Sequence, residues 1–324
     1  QLDHHIAPGE WVSHFSRLYK DNSNCANLLE LFETRERDEL PIILSVEETR
    51  SAIAKCLASK APGPDQIPND LFLKFSELWS IYINLLSNAI LQGMPIPASW
   101  KLAVIVPIFK KGDRNLPSNY RPISLLDGVQ KIFCRQILDR LQDWMVDGSI
   151  LSDYQAGFRK GVSTLDQVFR FLTIFWRDCV IKEGQLYVAF VDLRAAFDLI
   201  PRDSLWKTLD AMGLPFGLLE ILIRLHTNNE ACVRWGDCGE LTDPFKTQQG
   251  VRQGCVLAPT LFSLYINDVI SYLDRDGCDA PRIEGSRVPA LLFADDTLLL
   301  SRSPLGLQQL LSDFVLFCKM RGME

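Results

Sequence analysis

Long apolar runs are missing from this chain. No stretch approaches the roughly 18 residues that a membrane span needs, so no membrane partner is expected. Histidine is scarce, with four residues in 324, and cysteine is odd in number at nine. The cysteines are scattered, none forms Cys-x-x-Cys, and the histidines complete no zinc pattern. Disulfide frameworks and zinc modules are therefore excluded, and a reduced intracellular protein is the natural reading. Cys134, Cys179 and Cys318 lie in apolar-periodic stretches and read as core thiols. A basic excess is missing too: the net charge is −6, which counts against a nucleic-acid enzyme when taken in bulk. There are no internal repeats and no low-complexity segment. The first residue is Gln1, so a fragment or a processed piece is expected.

What is present can build a full core. Hydrophobic residues make up 47% of the chain, and the length suits one large domain or two small ones. Charge is unevenly spread. Between residues 101 and 135, Lys101, Lys110, Lys111, Arg114, Arg121, Lys131 and Arg135 face only Asp113 and Asp127. Residues 21–50 reverse this, with eight acids against three bases. A local basic face matters more to a polyanion than the global sum.

Periodicity predicts helices over 8–40, 45–59, 68–92, 127–146, 164–181, 202–212, 216–227 and 257–273, and one starting at Ser303-Pro304. In 68–92, Leu71, Phe75, Leu78, Leu85 and Leu86 share a face. In 164–181, Val168, Phe171, Leu172 and Phe175 do. Ser45 and Ser303 read as N-caps, the latter with proline at the first helical position. Strands are predicted at 103–109 and 185–191, with a hairpin over 231–247 around Gly236-Asp237-Cys238-Gly239.

The most informative feature is acidic. Ala290-Leu291-Leu292-Phe293 is an apolar strand, Ala294-Asp295-Asp296-Thr297 follows, and a second apolar run begins at Leu298. This pattern predicts a hairpin with Asp295 and Asp296 at its tip. The apolar strand ending at Val191 runs straight into Asp192. Carboxylates beside a core are costly unless their charge is offset. Two such strand ends side by side would form a two-metal site for phosphoryl transfer. Each motif alone has an ordinary reading, a turn for Asp-Asp and an acidic N-cap for Asp192. Their combination with Gly250-Val251-Arg252-Gln253-Gly254-Cys255-Val256-Leu257-Ala258-Pro259 raises both.

With these residues the sequence closely resembles the reverse transcriptase domain of non-LTR (LINE-type) retrotransposons. The resemblance runs from about Ser59 to the end. It includes Ala61-Pro62-Gly63-Pro64-Asp65, the basic turn at 108–113, Asn119-Tyr120-Arg121-Pro122-Ile123-Ser124-Leu125 and Tyr154-Gln155-Ala156-Gly157-Phe158-Arg159, in the family's order. It implies an α+β fold, a right-hand polymerase with fingers and an antiparallel palm sheet, the thumb absent. The implied segments are 1–58 as an N-terminal helical extension, 59–185 as fingers with entry to the palm, and 186–324 as palm.

The resemblance implies that Asp192 and Asp295 are metal ligands, with Asp296 as the neighbouring acid and the Leu193 carbonyl also reaching a metal. Two Mg²⁺ ions are implied, with Mn²⁺ as an alternative. Phe197 matches the family's steric gate against a ribose 2′-OH; the competing reading is ordinary core. Lys110 and Arg121 match finger residues that hold the triphosphate, against a solvated basic face. Gln253 matches a contact to template and incoming nucleotide, and Gly254 allows close backbone approach. Arg159 and Lys160, with Tyr154 and Phe158, read as a template-strand contact, against a plain surface loop. His226 and the cysteines read as structural.

The implied function is RNA-directed DNA polymerisation from a primer 3′-OH, with RNA template, DNA primer and dNTPs as partners. An upstream endonuclease and a downstream thumb are expected in the parent polypeptide. So is the family's lysine general acid, beyond Arg321-Gly322-Met323-Glu324; Lys319 is not its match. The activity of this piece alone is in doubt, and a nuclear location is expected if the parent element is active. Three alternatives stay open: a non-catalytic RNA-binding remnant, a group II intron-type reverse transcriptase, and a viral RNA-dependent RNA polymerase. The last typically carries Asp at the Phe197 position and Gly-Asp-Asp in place of Ala294-Asp295-Asp296.

Overall fold

The computed structural model describes residues 6–21, 42–159, 161–236, 238–275 and 277–323. In chain order its first elements are α1 (Pro8–Leu18), α2 (Val46–Ala54), α3 (Asn69–Lys74), α4 (Ser76–Leu91), β1 (Leu102–Phe109), β2 (Tyr120–Leu125), α5 (Gly128–Asp147) and α6 (Thr164–Phe175). Then follow β3 (Tyr187–Val191), α7 (Arg202–Ala211), α8 (Phe216–His226), β4 (Asn229–Trp235), β5 (Glu240–Leu241) and β6 (Phe245–Thr247). The last are α9 (Ala258–Tyr265), α10 (Val269–Leu273), β7 (Arg282–Ile283), β8 (Ser286–Arg287), β9 (Ala290–Phe293), β10 (Asp296–Ser301) and α11 (Pro304–Met320). This is the mixed α+β content expected. Contacts divide the chain into two interleaved units, 1–144 with 201–258 and 145–200 with 259–324. The segments expected from the family resemblance are a different partition, by sequence order.

The first unit is built on a sheet of order β2-β1-β4-β5, with β6 also on β4. β1 is antiparallel to β2 and parallel to β4. Ala103, Val104 and Ile105 fill its centre. Proline stands opposite proline, Pro107 across from Pro122, where neither can donate to a ladder. The Pro62-Gly63-Pro64-Asp65 loop has a plain structural role. Asp65 Oδ2 accepts from Gly128 N at 3.1 Å at the start of α5, and Asp65 N donates to Asp127 Oδ1 at 3.1 Å. This satisfies amides that a helix N-terminus would leave orphaned. Burial and the neighbouring Asp65 charge raise the Asp127 carboxyl above its ordinary value.

Four helix expectations need correction. Residues 8–40 give α1 only to Leu18, and 22–41 lie outside the described residues. Residues 68–92 are two helices, broken at Phe75. The α4 side turned to the core carries Ser80, Ile83, Asn84, Ser87 and Ile90, while Leu78 and Leu85 are exposed. The reason is a buried polar network. Asn84 Nδ2 donates to Thr49 Oγ1, Gln136 Nε2 donates to the same oxygen at 2.7 Å, and Ser87 Oγ donates to Gln136 Oε1 at 2.9 Å. A satisfied network of this kind fixes one packing of α2, α4 and α5. Residues 257–273 form α9 and α10 as separate helices, and α6 gives way to a π-type turn over Trp176–Ile181.

In the second unit the sheet order is β3-β10-β9, all antiparallel. Ile174, Val288, Leu291 and Leu300 form its buried cluster, with Tyr154, Phe171 and Leu298 against it. Ser303 caps α11, its side chain accepting from Gly306 N with Pro304 at the first helical position, as the sequence predicts. The far end of the sheet, where β3 starts and β10 stops, is closed by buried Asp178. Arg177 donates to both its oxygens at 2.9 and 3.0 Å, Arg302 Nη2 reaches it at 3.2 Å, and Lys182 Nζ lies 3.4 Å away. Burial pushes this carboxyl up, but the Arg177 hydrogen bonds and the Arg302 and Arg177 charges outweigh it and hold it at about 2.

A carboxyl held below its ordinary value contributes stability that is present above that value and lost as the pH falls through the folded one. The second unit should therefore lose about 2 kcal/mol between pH 4 and pH 2. Asp178→Asn should remove that pH dependence and lower stability at pH 7. Thermal unfolding followed from pH 7 to pH 2 for both proteins checks this; parallel curves would show that Asp178 is no anchor.

Candidate active site

Strand pairing builds the acidic end of the second unit. Val191 on β3 stands opposite Thr297 on β10, so the next step along the register sets Asp192 against Asp296. β9 and β10 are joined by a two-residue turn, Ala294-Asp295, with Phe293 paired to Asp296. Ala294 has a φ of +57°. A positive φ at the first central residue is the type II′ pattern, which glycine usually occupies. The three acids therefore meet at one end of one sheet. Asp192 and Asp296 are exposed and Asp295 is half-buried.

Asp192 and Asp296 also line the same cavity, of about 470 Å³, with Phe171, Phe190, Leu291 and Phe293 among its apolar walls. Among the described residues neither Asp192 nor Asp296 makes an ion pair. Asp178, at the other end of the sheet, is met by two arginines and a lysine. The described residues close no group of three metal-ligating side chains around a common point. The site is an open set of carboxylate oxygens, the donor type magnesium takes while keeping water and phosphate oxygens in its shell.

Beyond Asp192 the chain turns sharply. Leu193 is buried and Ala195 adopts a φ of +46°. The amides of Asp198 and Leu199 both donate to the Ala195 carbonyl, at 2.8 and 3.1 Å. This turn carries Phe197, half-buried, between two rings: Phe262 of α9 at 4.8 Å and Phe158 at 6.5 Å, the latter edge-on. Phe158 is itself exposed and has a φ of +58°. Arg159 turns back on its own loop. Its Nη1 donates to the Ser152 carbonyl at 3.1 Å and lies 3.6 Å from Asp153. Tyr154 packs into the core cluster. Lys160 lies outside the described residues.

The first unit gathers the other candidates along β2. Arg121 pairs with Ile108, and Lys110, two residues on from Ile108, continues the same face. The Lys110 amide closes that ribbon on the Asn119 carbonyl at 2.9 Å. Both side chains are exposed. Three residues along β2 from Arg121, Ser124 N donates to the Gln253 carbonyl at 2.7 Å. Gly254, with a φ of +110°, lies so close that a Cβ there would stand 2.4 Å from the Ser124 carbonyl oxygen. Lys110, Arg121, Gln253 and Gly254 thus share one strand's neighbourhood.

Two residues the sequence reading passed over hold that loop. Arg202 is buried and donates to the carbonyls of Gly250, His226, Thr247 and Gln249. Arg252 is buried and donates to the carbonyls of Trp100 and Lys101 at 3.1 and 2.8 Å. The Asp21 charge also acts on Arg202, and no carboxylate among the described residues acts on Arg252. Burial and the Arg252 charge lower the Arg202 guanidinium to about 9. The same surroundings hold His226 neutral: burial first, then the Arg202 charge, bring it to about 3, and its Nδ1 meets the Leu222 carbonyl at 2.8 Å. His226 is structural, as the sequence suggested. The signals were Arg202 opening α7 and Arg252 standing in the 250–259 motif, yet arginine ordinarily reads as surface.

Gly254→Ala combines a forbidden φ with a backbone clash. It should cost about 2–4 kcal/mol, read as a shift of the urea midpoint. A change below about 0.5 kcal/mol would show that the loop is not held against β2.

Residues 108–324 match the family model described as reverse transcriptase (RNA-dependent DNA polymerase). A relative described as a probable RNA-directed DNA polymerase from transposon BS of Drosophila melanogaster is 32% identical over 301 residues, 90% of this chain and 32% of that protein. The RNA-directed DNA polymerase from mobile element jockey of Drosophila melanogaster is 28% identical over 304 residues, 91% of this chain and 32% of that protein. This chain thus spans about a third of the curated relatives it matches. A solved structure of apo telomerase from Candida tropicalis aligns with a TM-score of 0.50 at 13% identity, over 84% of this chain and 51% of that one. That likeness speaks for the fold alone.

Proposed function

The chain belongs to the reverse transcriptase (RNA-dependent DNA polymerase) family, with non-LTR retrotransposon polymerases as its relatives, and we propose that it supplies the polymerase centre that extends a DNA primer on an RNA template. The observation that carries this reading is the β3–β10 register. It sets Asp192 beside the Ala294-Asp295-Asp296 turn at one sheet end, over a cavity. Opposed like charges on paired strands repel. Bound cations would relieve that repulsion.

In this reading Asp192 and Asp295 hold two divalent cations, Mg²⁺ or Mn²⁺, with Asp296 as the neighbouring acid and the Leu193 carbonyl as a further oxygen. When bound, the cations supply charge stabilisation to the attacking and leaving oxygens of an in-line displacement. The chain's own residues position the reactants. Phe197, held edge and face by Phe158 and Phe262, presents a wall to the sugar that leaves no room for a 2′-OH. Lys110 and Arg121 supply positive charge to the triphosphate. Gln253 contacts the template and incoming nucleotide from a loop that Arg202 and Arg252 hold without spending a side-chain acceptor on it. Arg159 and Lys160 contact the template strand. The chain works inside the cell, and in the nucleus where its parent element is active, as part of a longer polypeptide with an endonuclease and a thumb. No described helix is long and apolar enough to cross a membrane.

Primer extension with dNTPs and Mg²⁺ on an RNA template tests this. Asp192→Asn or Asp295→Asn should lower extension by roughly 10³-fold or more. Thermal stability without metal should hold or rise slightly, by about 0.2–1 kcal/mol for Asp192→Asn, as the opposed charge goes. Extension within tenfold of wild type would overturn the ligand assignment. Phe197→Val should raise ribonucleotide incorporation by roughly 10–100-fold, the usual worth of one removed clash. An unchanged rNTP to dNTP ratio would make Phe197 ordinary core.

A further inference from the structure

One side chain in the second unit is fully buried, polar and aimed at the acidic turn, and the proposed mechanism does not use it. Gln155 has no exposed surface. Its Oε1 accepts from the Ala294 amide at 3.1 Å and from the Gly157 amide at 2.8 Å. Its Nε2 points at the Ala294 carbonyl, at the long limit of 3.5 Å. We propose that Gln155 is a positioning residue: it holds Ala294 in its left-handed conformation and so sets the place of the Asp295 carboxylate at the sheet end. The proposal deepens the polymerase reading and rests on Asp295 being a cation ligand.

The argument begins with the turn. Ala294 stands where glycine is the ordinary choice, and its Cβ disfavours a φ of +57°. Such a conformation persists only where the surroundings over-determine it, and such places cluster at functional sites. The surroundings here are specific. The segment Tyr154-Gln155-Ala156 runs along β9 as a short parallel edge: Leu292 N donates to the Tyr154 carbonyl and Ala156 N to the Leu292 carbonyl, both at 2.9 Å. Gln167, from α6, ties the same two carbonyls with one amide group, at 2.7 Å to Tyr154 and 2.8 Å to Leu292. Gly157 then passes so close that a Cβ on it would lie 2.2 Å from the Ala294 nitrogen. The backbone of the turn is walled in, and its buried amide has one partner, the Gln155 oxygen.

Only glutamine meets the whole demand. One amide oxygen offers two lone pairs, and both are used, by Ala294 and Gly157. Leucine of similar volume would leave two buried amides without a partner. Asparagine is one methylene too short. Glutamate would accept both bonds but would place a charge among buried groups beside Asp295. The carboxylate that follows Ala294 in the chain takes its direction from the turn. A turn free to relax to negative φ would swing Asp295 away from Asp192.

The test uses the full 324-residue chain as wild type, Gln155→Leu, Ala294→Gly and the double variant. Amide exchange by NMR reads the turn directly. Gln155→Leu should speed exchange at Ala294 and Gly157 by at least about tenfold while the central β10 amides stay unchanged. Calorimetric Mn²⁺ binding should weaken by about 10–100-fold, the usual effect of losing a support of a ligand. In primer extension kcat should fall by about 10²-fold with KM for dNTP within twofold. Adding Ala294→Gly should restore part of both losses, because glycine takes the positive φ without strain. If Gln155→Leu does not fold, Gln155→Asn carries the same measurements. Unchanged Ala294 exchange, unchanged Mn²⁺ affinity, or losses that Ala294→Gly leaves untouched would overturn the proposal. A wild-type chain that binds no Mn²⁺ overturns the assignment of Asp295 as a cation ligand instead; the exchange rates still decide whether Gln155 holds the turn.

Discussion

Everything at the acidic end depends on the register of β3 against β10. Because side chains alternate along a strand, a slip of one residue would carry Asp192 to the opposite face from Asp296 and turn the apolar set of β3 over with it. The register is fixed from both ends of the sheet. At the far end the Asp178 cluster joins the approach to β3, through Arg177 and Lys182, to the exit from β10, through Arg302. At the near end the short Ala294-Asp295 turn leaves no spare residue by which β10 could slide against β9. Between them Leu298, Leu299 and Leu300 meet Phe190, Ala189 and Val188. Asp192 and Asp296 stand where the ladder runs out, so their place is set by pairing.

The two units hold their candidate residues by different physics. In the second unit the device is a strained turn whose amide is matched by one buried glutamine. In the first it is a pair of buried guanidiniums bonded to main-chain carbonyls. Burying such cations is expensive, but Arg202 and Arg252 together meet six carbonyl oxygens. Carbonyls are fixed by the backbone, so these bonds set the path of residues 247–252 directly. The Gln253 carbonyl stays on the Ser124 amide.

The strand ends were legible in the sequence because the acidic residues follow unbroken apolar runs. A short continuous apolar run followed by Asp reads as an exit from a sheet. The hairpin at 290–301, the Ser303 cap and the β4–β6 hairpin came from the same local signals and agree with the structure. The face of α4 was not legible. Its apolar residues outnumber its polar ones, so hydrophobicity points the wrong side inward; the core side is chosen by Asn84 and Ser87, which meet Thr49 and Gln136 far off in sequence. The side of α6 with Val168, Leu172 and Phe175 is exposed for a related reason: only Gln167 and Ile174 of that helix are buried, and Gln167 is turned inward by carbonyls on another element. Arg202, Arg252 and Gln155 received no role from the sequence because their partners are backbone atoms, which leave no mark in a side-chain pattern.

The contrast among the aspartates separates structure from chemistry more sharply than any motif does. Asp127 accepts from the Asp65 amide and Asp65 from the Gly128 amide, and Asp178 is met by three cations. Each of these carboxylates is answered by the fold. Asp192 and Asp296 are set opposite one another, exposed, with no cation from the described chain. A fold that answers buried carboxylates elsewhere leaves two opposed charges at the mouth of a cavity. Placing them there opposes folding, and neither Leu193 nor Phe293 beside them offers a countercharge. Positive charge brought from outside relieves that opposition, and a triphosphate with its cations is a ligand of that kind. The basic face of Lys110 and Arg121 lies on exposed strand ends in the same open manner. In both places, among the described residues, the chain offers charge that it does not itself neutralise, and this is how the proposed use of a polyanion fits a net charge of −6.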